Sequence, residues 1–389
     1  MQITEDIKYI GVDDRDIRLF EAQFAVERGM AYNSYLVLDE KIAVFDTVEK
    51  HFGGEWLANI EREAAGRPVD YLVVQHMEPD HSAQIAEFAR RYPGAKIVSS
   101  AQAFAMMKNF FGSAFEDRRI VVKEDDTLST GAHTFAFVAA PMVHWPEVIV
   151  TYDAKDKVLF SADGFGKFGA NGIEDPEGWD CEARRYYFGI VGKYGAQVQA
   201  LLKKASALDI RIICPLHGPV LATPDEVAHV VKQYDTWSSY GVESPGVAIA
   251  YTSVYGHTQE AALKLRDMLV AAGCPKVAVA NLVTDDLHET IEDAFRYKTL
   301  VIATTTYNMD VFPRMKQFIE HLTGRNWQNR RVAIIENGSW APNAAKTVKA
   351  MFGGSKGIEF VPGTVTIKSA VDAGAEAALA NLAAEIMKG

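Results

Sequence analysis

Four side chains able to hold a metal ion fall within six residues: His76, Glu78, Asp80 and His81, in the stretch Gln75-His-Met-Glu-Pro-Asp-His-Ser82. Imidazole nitrogens and carboxylate oxygens suit iron, manganese or zinc. The theme recurs three times downstream. His144 lies in Val143-His-Trp-Pro146, Asp163 in Ser161-Ala-Asp-Gly164, and His217 in Pro215-Leu-His-Gly218. Each follows an apolar run and adjoins Gly or Pro. Four imidazoles and three carboxylates are enough for two ions. Paired metals sit about 3.5–4 Å apart, a gap that one carboxylate spans. Asp163 stands alone midway through the set, so the bridge is assigned to it. Taken singly, an Asp before Gly at a strand end is a turn residue; the set carries the metal reading.

These residues need elements that bring them together. Residues 71–74 read as a buried strand. Ser82 is placed to cap a helix bearing Ile85, Ala86, Phe88 and Ala89 at helical spacing. Pro79 disfavours helix in the residue before it, so 78–81 is expected to be non-helical. Strand-like alternation would then put His76, Glu78 and Asp80 on one side. Strands are expected at 136–143, 158–162 and 211–214, each leading into a ligand, and sites gather where loops leave one end of a sheet. Around them lie a hairpin at 31–38 and 41–45, helices at 52–64, 101–111 and 224–237, strands at 96–99, 119–122 and 148–152, and a long helix over 182–207 broken near 189–195. Glu-x-x-His occurs twice, at Glu78–His81 and Glu226–His229. That pairing builds di-metal sites in helical bundles. Pro79 and the strand–helix alternation exclude a bundle, which leaves His229 as a helix-surface residue.

A length of 389 residues suggests two or three domains. The net charge of −11 argues against a general nucleic-acid or anionic-membrane surface. No run approaches the ~20 apolar residues of a membrane helix, and residues 1–16 lack the apolar core of a signal peptide. Cys181, Cys214 and Cys274 form no Cys-x-x-Cys pair. A reducing cytoplasm is therefore expected, with no disulfide framework and no cysteine-bound iron.

The Ser, Gly and Pro content of 238–245 reads as a linker, dividing the chain into domains 1–243 and 244–389. Beyond it, strands at 246–251, 276–282, 299–303, 331–336 and 358–367 alternate with helices. This is an α/β, doubly wound, five-stranded parallel sheet. Its first strand runs into a loop of Thr252, Ser253, Val254, Tyr255, Gly256, His257 and Thr258 before a helix. Hydroxyls and free N–H groups at a helix start make an anion site. The Gly-rich patterns of nucleoside triphosphate and dinucleotide loops are absent, so a single phosphate monoester, as in FMN, fits better. Two further strand-end loops supply Thr304, Thr305, Thr306, Tyr307 and Asn308, and Asn337, Gly338, Ser339 and Trp340. Tyr307 or Trp340 could stack on a flat ring.

The His-x-Glu-x-Asp-His motif, followed by His, Asp and His, resembles the metallo-β-lactamase superfamily, an αββα sandwich. Glu78 stands where most hydrolases of that superfamily have histidine. This carboxylate variant, joined to a flavodoxin-like domain, resembles the flavodiiron proteins over essentially the whole chain. Carried over residue by residue, the resemblance implies one iron on His76, Glu78 and His144, another on Asp80, His81 and His217, and Asp163 between them. At the place of His81 the family does not always bind metal. The three later loops resemble the FMN-binding loops of flavodoxins, although Trp340 directly follows Ser339 instead of completing Gly-Ser-(aromatic)-Gly-Trp.

The activity that this resemblance implies is reduction of O2 to water, of NO to N2O, or both. Two iron ions carry it, and FMN relays the electrons. No rubredoxin-like four-cysteine site is present, so the donor would be external, rubredoxin or a reduced deazaflavin. The family further implies an anaerobe's cytoplasmic protein and a head-to-tail homodimer, possibly a tetramer. No catalytic group beyond the ligands is identified; Trp145 and Tyr194 could line the pocket or belong to the core. Two other readings compete. One is a binuclear metallo-hydrolase with a fused flavodoxin module, and the other an electron carrier whose first domain is a scaffold.

Overall fold

Alternating strand residues face two different apolar environments in the first part of the chain, so its sheets must be covered on both faces. The computed structural model describes residues 2–175 and 178–389. It divides into two units, Met1–Asp235 and Thr236–Gly389.

In the first unit, one sheet contains β1 (Ile7–Tyr9), β2 (Tyr35–Val37), β3 (Ile42–Phe45), β4 (Val69–Val73), β5 (Lys96–Ser100) and β6 (Arg119–Val122), in that order. The second contains β7 (Thr127–Ser129), β8 (Thr134–Ala139), β9 (Ile149–Asp153), β10 (Val158–Phe160) and β11 (Ile212–Cys214). Phe45, Tyr71, Val73, Val98, Phe135, Phe137, Ile149 and Phe160 form a single buried cluster drawn from both sheets. Within it Phe45 stacks on Phe160, ring centres 4.1 Å apart. The neighbouring positions Val44, Leu72, Val74 and Ile97 turn the other way. They pack with Trp56 and Ile60 of α1 (Gly53–Ala64), then with residues beyond it in the chain. The period of two along each strand thus fills two cores at once.

Several elements differ from expectation for identifiable reasons. The stretch 78–81 is not all extended: Pro79–Ser82 forms a helical turn, α2. Glu78 keeps the extended backbone (ψ 139°) that a following proline demands. Proline at the first helical position, however, has a suitable φ and no N–H to leave unpaired. Ser82 does not cap the next helix, α3 (Ile85–Arg91). Its hydroxyl donates to the Met77 carbonyl at 2.8 Å, and Gln84 precedes the helix instead. The hairpin starts at Tyr35 because Asn33 and Ser34 are drawn into side-chain bonds. Asn33 Nδ2 donates to the carbonyls of Pro215 and Gly218, and Ser34 Oγ to those of Phe45 and Asp46. Ala31 and Tyr32 belong to another strand, Met30–Tyr32, paired with Val12–Asp14. The strand before His144 ends at Ala139. A helix α4 (Ala101–Phe111) lies where expected. The long helix over 182–207 is α5 (Trp179–Tyr186), two irregular turns through Tyr194, and α6 (Gly195–Ala205). At Gly189 a Cβ would lie 2.6 Å from the Phe24 ring, so the turn approaches that ring only with glycine. A last helix, α7 (Pro224–Ser238), runs through the division between the units.

The second unit is a parallel sheet in the order β13 (Val277–Asn281), β12 (Ser244–Tyr251), β14 (Tyr297–Tyr307), β15 (Arg331–Asn337), with β16 (Glu359–Phe360) and β17 (Val365–Ile367) both on β15. This 2-1-3-4-5 order is flavodoxin-like. The fifth strand is split because Pro362 and Gly363 (φ 87°) interrupt it. Ser244 and Pro245, expected in the linker, already belong to β12. Helices α8 (His257–Ala271), α9 (Leu287–Arg296), α10 (Pro313–Gly324), α11 (Ala344–Met351) and α12 (Ala373–Met387) alternate with the strands. Among the described residues no helix is long and apolar enough to cross a membrane.

The β7–β8 turn carries a buried ion pair. His133 Nδ1 lies 3.0 Å from Asp153 Oδ2 and Nε2 lies 3.2 Å from Asp6 Oδ2. Burial and the Lys155 ammonium, 3.2 Å from Nε2, oppose the charged imidazole, but Asp153 and Asp6 outweigh them and raise its pKa above 6.5. A raised folded-state pKa gives stability that is fully present below pH 6.5 and lost as pH rises through the folded value. Replacing His133 by Ala is expected to destabilise the chain by roughly 3 kcal/mol at pH 6, as breaking a buried pair does. Thermal denaturation from pH 6 to 9 should show the gap to wild type narrowing; a constant gap would refute the pairing.

Candidate functional site

Four strand ends deliver the metal-binding candidates: β4 leads to His76, β8 to His144, β10 to Asp163 and β11 to His217. Asp46, just past β3, steadies the first loop. It accepts from the backbone N–H of Gln75 (2.7 Å) and His76 (3.3 Å), and from Gln75 Nε2 (3.0 Å). Glu147 steadies it from the other side, accepting from Met77 N at 2.8 Å and meeting His76 Nδ1 at 2.8 Å.

All seven candidates converge, in two groups. The ligand atoms of His76, Glu78, His144 and Asp163 lie within 4.8 Å of one another, and so do those of Asp80, His81 and His217. Asp163 faces both. Its Oδ2 is 3.1 Å from His144 Nε2 and 3.5 Å from His76 Nε2. Its Oδ1 is 3.2 Å from His81 Nε2 and 3.8 Å from His217 Nε2. Glu78 Oε2 approaches His144 and His76 at 3.0 and 3.4 Å, and Asp80 Oδ2 is 3.4 Å from both His81 and His217. The expectation that His76, Glu78 and Asp80 share one side is corrected here. The helical turn α2 carries Asp80 and His81 to the second group.

The site is built to hold cations. His76 Nε2, both Asp80 oxygens and Asp163 Oδ1 are buried without a hydrogen-bond partner among the described residues. Buried polar atoms left unpaired are costly, and two metal ions would satisfy them. Without metal, burial disfavours the charged His144, yet Asp163 and Glu78 overcome this and lift it to about 9. Burial likewise pushes Glu78 and Asp163 up, but the surrounding imidazoles hold both carboxyls well below the usual range. Protons on imidazoles thus stand where cations would.

Aromatic rings wall the pocket. Trp145 lies edge-on to His76 at 5.3 Å, while Phe20 and Tyr186 each lie 5.5 Å from His217. Tyr194, a candidate from the sequence, sits in the turn Gly192–Tyr194, whereas Tyr186 of the preceding helix packs against His217. Sequence reasoning also missed Asp46 and Glu147. A lone Glu after His-Trp-Pro offers no distinguishing signal.

In the second unit a cavity of about 720 Å³ opens at the carboxyl ends of the strands. Its walls include Ser253, Val254, Tyr255, His257, Thr258, Thr305, Thr306, Tyr307, Asn308, Asn337, Gly338, Ser339 and Trp340, and also Met309, Ala341 and Ser369. Thr258 Oγ1 and Thr305 Oγ1 are buried and unpaired among the described residues, as a phosphate or polar ring edge would require. Trp340 and Tyr255 expose 88% and 90% of their surface, so both rings are available for stacking. Thr252 and Thr304 are fully buried, are not among the cavity walls, and bond each other at 2.8 Å. Gly256 (φ 93°) ends the loop and gives its N–H to Ser253 Oγ. The Thr306 hydroxyl is engaged by the N–H groups of Asn343 and Ala344.

Comparison with known proteins agrees with this layout. Residues 30–218 match the family model described as ODP family beta lactamase. The chain is 28% identical to a nitric oxide reductase of Moorella thermoacetica over 355 residues, covering 89% of this chain and 88% of that one. The structure of rubredoxin oxygen:oxidoreductase from the anaerobe Desulfovibrio gigas superposes with a TM-score of 0.91 at 25% identity, covering 100% of this chain and 98% of that one. The flavodiiron protein of Giardia intestinalis gives 0.86 at 25%, with 100% and 96% covered. With a beta-lactamase-like unit bearing two facing ligand groups, followed by a flavodoxin-like unit, this chain is similar to the flavodiiron proteins.

Proposed function

We propose that this chain is an oxidoreductase reducing O2 to water, NO to N2O, or both, at a non-haem di-iron centre, with FMN relaying electrons. The observation that carries the reading is Asp163, whose two oxygens face two separate ligand groups, on a chain that also holds a flavin-sized cavity. When bound, the iron pair and the flavin can each supply two electrons, four for O2 or two for a pair of NO molecules.

The chain's own residues prepare the site. His76 and His217 donate their Nδ1 protons to Glu147 and to the Ala31 carbonyl, so Nε2 is the ring nitrogen that each would offer to a metal. One ion would be held by His76, Glu78 and His144 and the other by Asp80, His81 and His217, with Asp163 shared. Glu78 and Asp80 add hard oxygen donors, which favour iron over zinc. Phe20, Trp145 and Tyr186 exclude water and strengthen each charge interaction. In the second unit, Thr258 and the N-terminus of α8 would take the FMN phosphate, and Tyr255, Tyr307 or Trp340 would stack on its ring.

The limits 1–243 and 244–389 serve as the two functional domains. We further read an external donor, rubredoxin or a reduced deazaflavin. A head-to-tail homodimer, possibly a tetramer, would bring one subunit's flavin to its partner's irons. The cytoplasm is the compartment that the cysteine usage favours.

Asp163→Asn is expected to abolish anaerobic NO consumption and O2 consumption alike, with FMN content unchanged. Retained turnover of either gas, or wild type that carries zinc and refuses iron, would overturn the reading. Thr258→Val should weaken FMN binding about 10-fold or more, as loss of a bond to a charged group does, with the iron content intact; fluorescence titration of the flavin-free protein measures this. Metal ligands must be deprotonated. With His144 near 9, ferrous-ion affinity should rise as pH increases from 6 to 9, with net proton release. Calorimetry in buffers of different ionisation heat checks the sign; proton uptake would contradict it.

A further inference from the structure

The two halves of the metal centre are held from behind by different chemistry. His76 Nδ1 lies 2.8 Å from Glu147 Oε1, and neither side chain is exposed. A carboxylate oxygen can only accept, so the proton is on Nδ1 and the bond is charge-assisted. Met77 N donates to the same oxygen, and Glu147 Oε2 has no partner among the described residues. The backbone of Glu147 is fixed as well, its carbonyl taking a bond from Ser100 Oγ at 3.0 Å. In the other half, His217 Nδ1 meets a neutral acceptor, the Ala31 carbonyl at 2.7 Å. His81 Nδ1 is buried with no partner among the described residues. Asp46 is also a buried carboxylate nearby, but its bonds come from backbone and amide N–H groups, not from an imidazole.

A carboxylate behind an imidazole draws on the Nδ1 proton and makes Nε2 a stronger donor, while a carbonyl does so less. We propose that Glu147 is a positioning residue that makes the two metal positions unequal. The ion on His76, Glu78 and His144 is held more tightly and is the ferric one when the pair is half oxidised. In that state one electron has passed from ferrous ion to an added one-electron oxidant such as ferricyanide, and no bond is made or broken. The inference rests on the di-iron reading.

The test uses the full chain with FMN bound. Glu147→Gln keeps an acceptor oxygen for both donors and removes the charge, whereas Glu147→Asp keeps the charge on a shorter arm. Iron-free protein is titrated with ferrous ion, and iron occupancy is read position by position from anomalous scattering in crystals. In E147Q the His76 position should weaken about 10- to 100-fold, the His217 position should hold, and the first-electron potential should rise. E147D should lose less than E147Q at the His76 position. Equal weakening of both positions, weakening of neither, or an Asp variant as impaired as Gln would overturn the proposal. If E147Q fails to fold, E147D decides: loss confined to the His76 position supports the inference, and equal loss at both refutes it. Wild type that binds no iron pair would sink the di-iron reading itself. Wild type with two irons and gas turnover, indistinguishable from E147Q in both readouts, would sink this inference alone.

Discussion

Asp163 places a carboxylate, almost fully buried, between two sets of imidazoles, with one oxygen toward each. Glu78 and Asp80 add two more carboxylates within a few ångströms of those imidazoles. Three acidic groups gathered out of water repel one another and forgo hydration, and either cost exceeds what a single hydrogen bond returns. The arrangement persists only where positive charge is interleaved with it. Protons on the imidazoles supply that charge in the metal-free chain, which is why His76 and His144 are both held above their usual range. Cations supply it otherwise. The same electrostatic demand therefore accounts for the site's stability without metal and its appetite for metal.

Such a cluster needs walls that do not yield. The inner faces of the two sheets provide them through large interlocked side chains, among them Phe45, Phe135 and Phe160. Strands leave their last residues where backbone pairing ends, so a ligand there can turn into the pocket without breaking a ladder. Secondary bonds then remove the remaining freedom. Asp46 ties down Gln75 and His76, and Asn33 reaches the carbonyls on either side of His217. Residues far apart in the chain are thereby fixed to within hydrogen-bond distances.

What could be read from the chain alone follows from how local each signal is. His76, Glu78, Asp80, His81, His144, Asp163 and His217 were legible because polar ligands at the ends of apolar runs are out of place unless they act together. The five-stranded parallel sheet was legible as alternation, although its split last strand was not, since Pro362 and Gly363 weigh little in a long apolar window. Pro79 misled because its restraint on Glu78 was extended to the residues after it, where proline instead starts a helix. Thr252 and Thr304 read as hydroxyls of two separate strand-end loops; only the paired strands show that they bond each other. Glu147 was invisible, because its partner His76 is 71 residues away in sequence.

The two units solve opposite problems. The first must concentrate charge, and it does so with carboxylates and imidazoles whose net balance shifts with each proton or cation. Among the described residues, no comparable buried cluster lines the cavity of the second. It offers hydroxyls, backbone N–H groups at the start of α8 and exposed aromatic faces, a surface suited to a flat ring with one anionic tail. A flavin in such a setting can change its electron count without rearranging fixed charges, whereas the metal cluster would feel every added electron through Asp163. Separating the functions lets each environment be tuned without detuning the other.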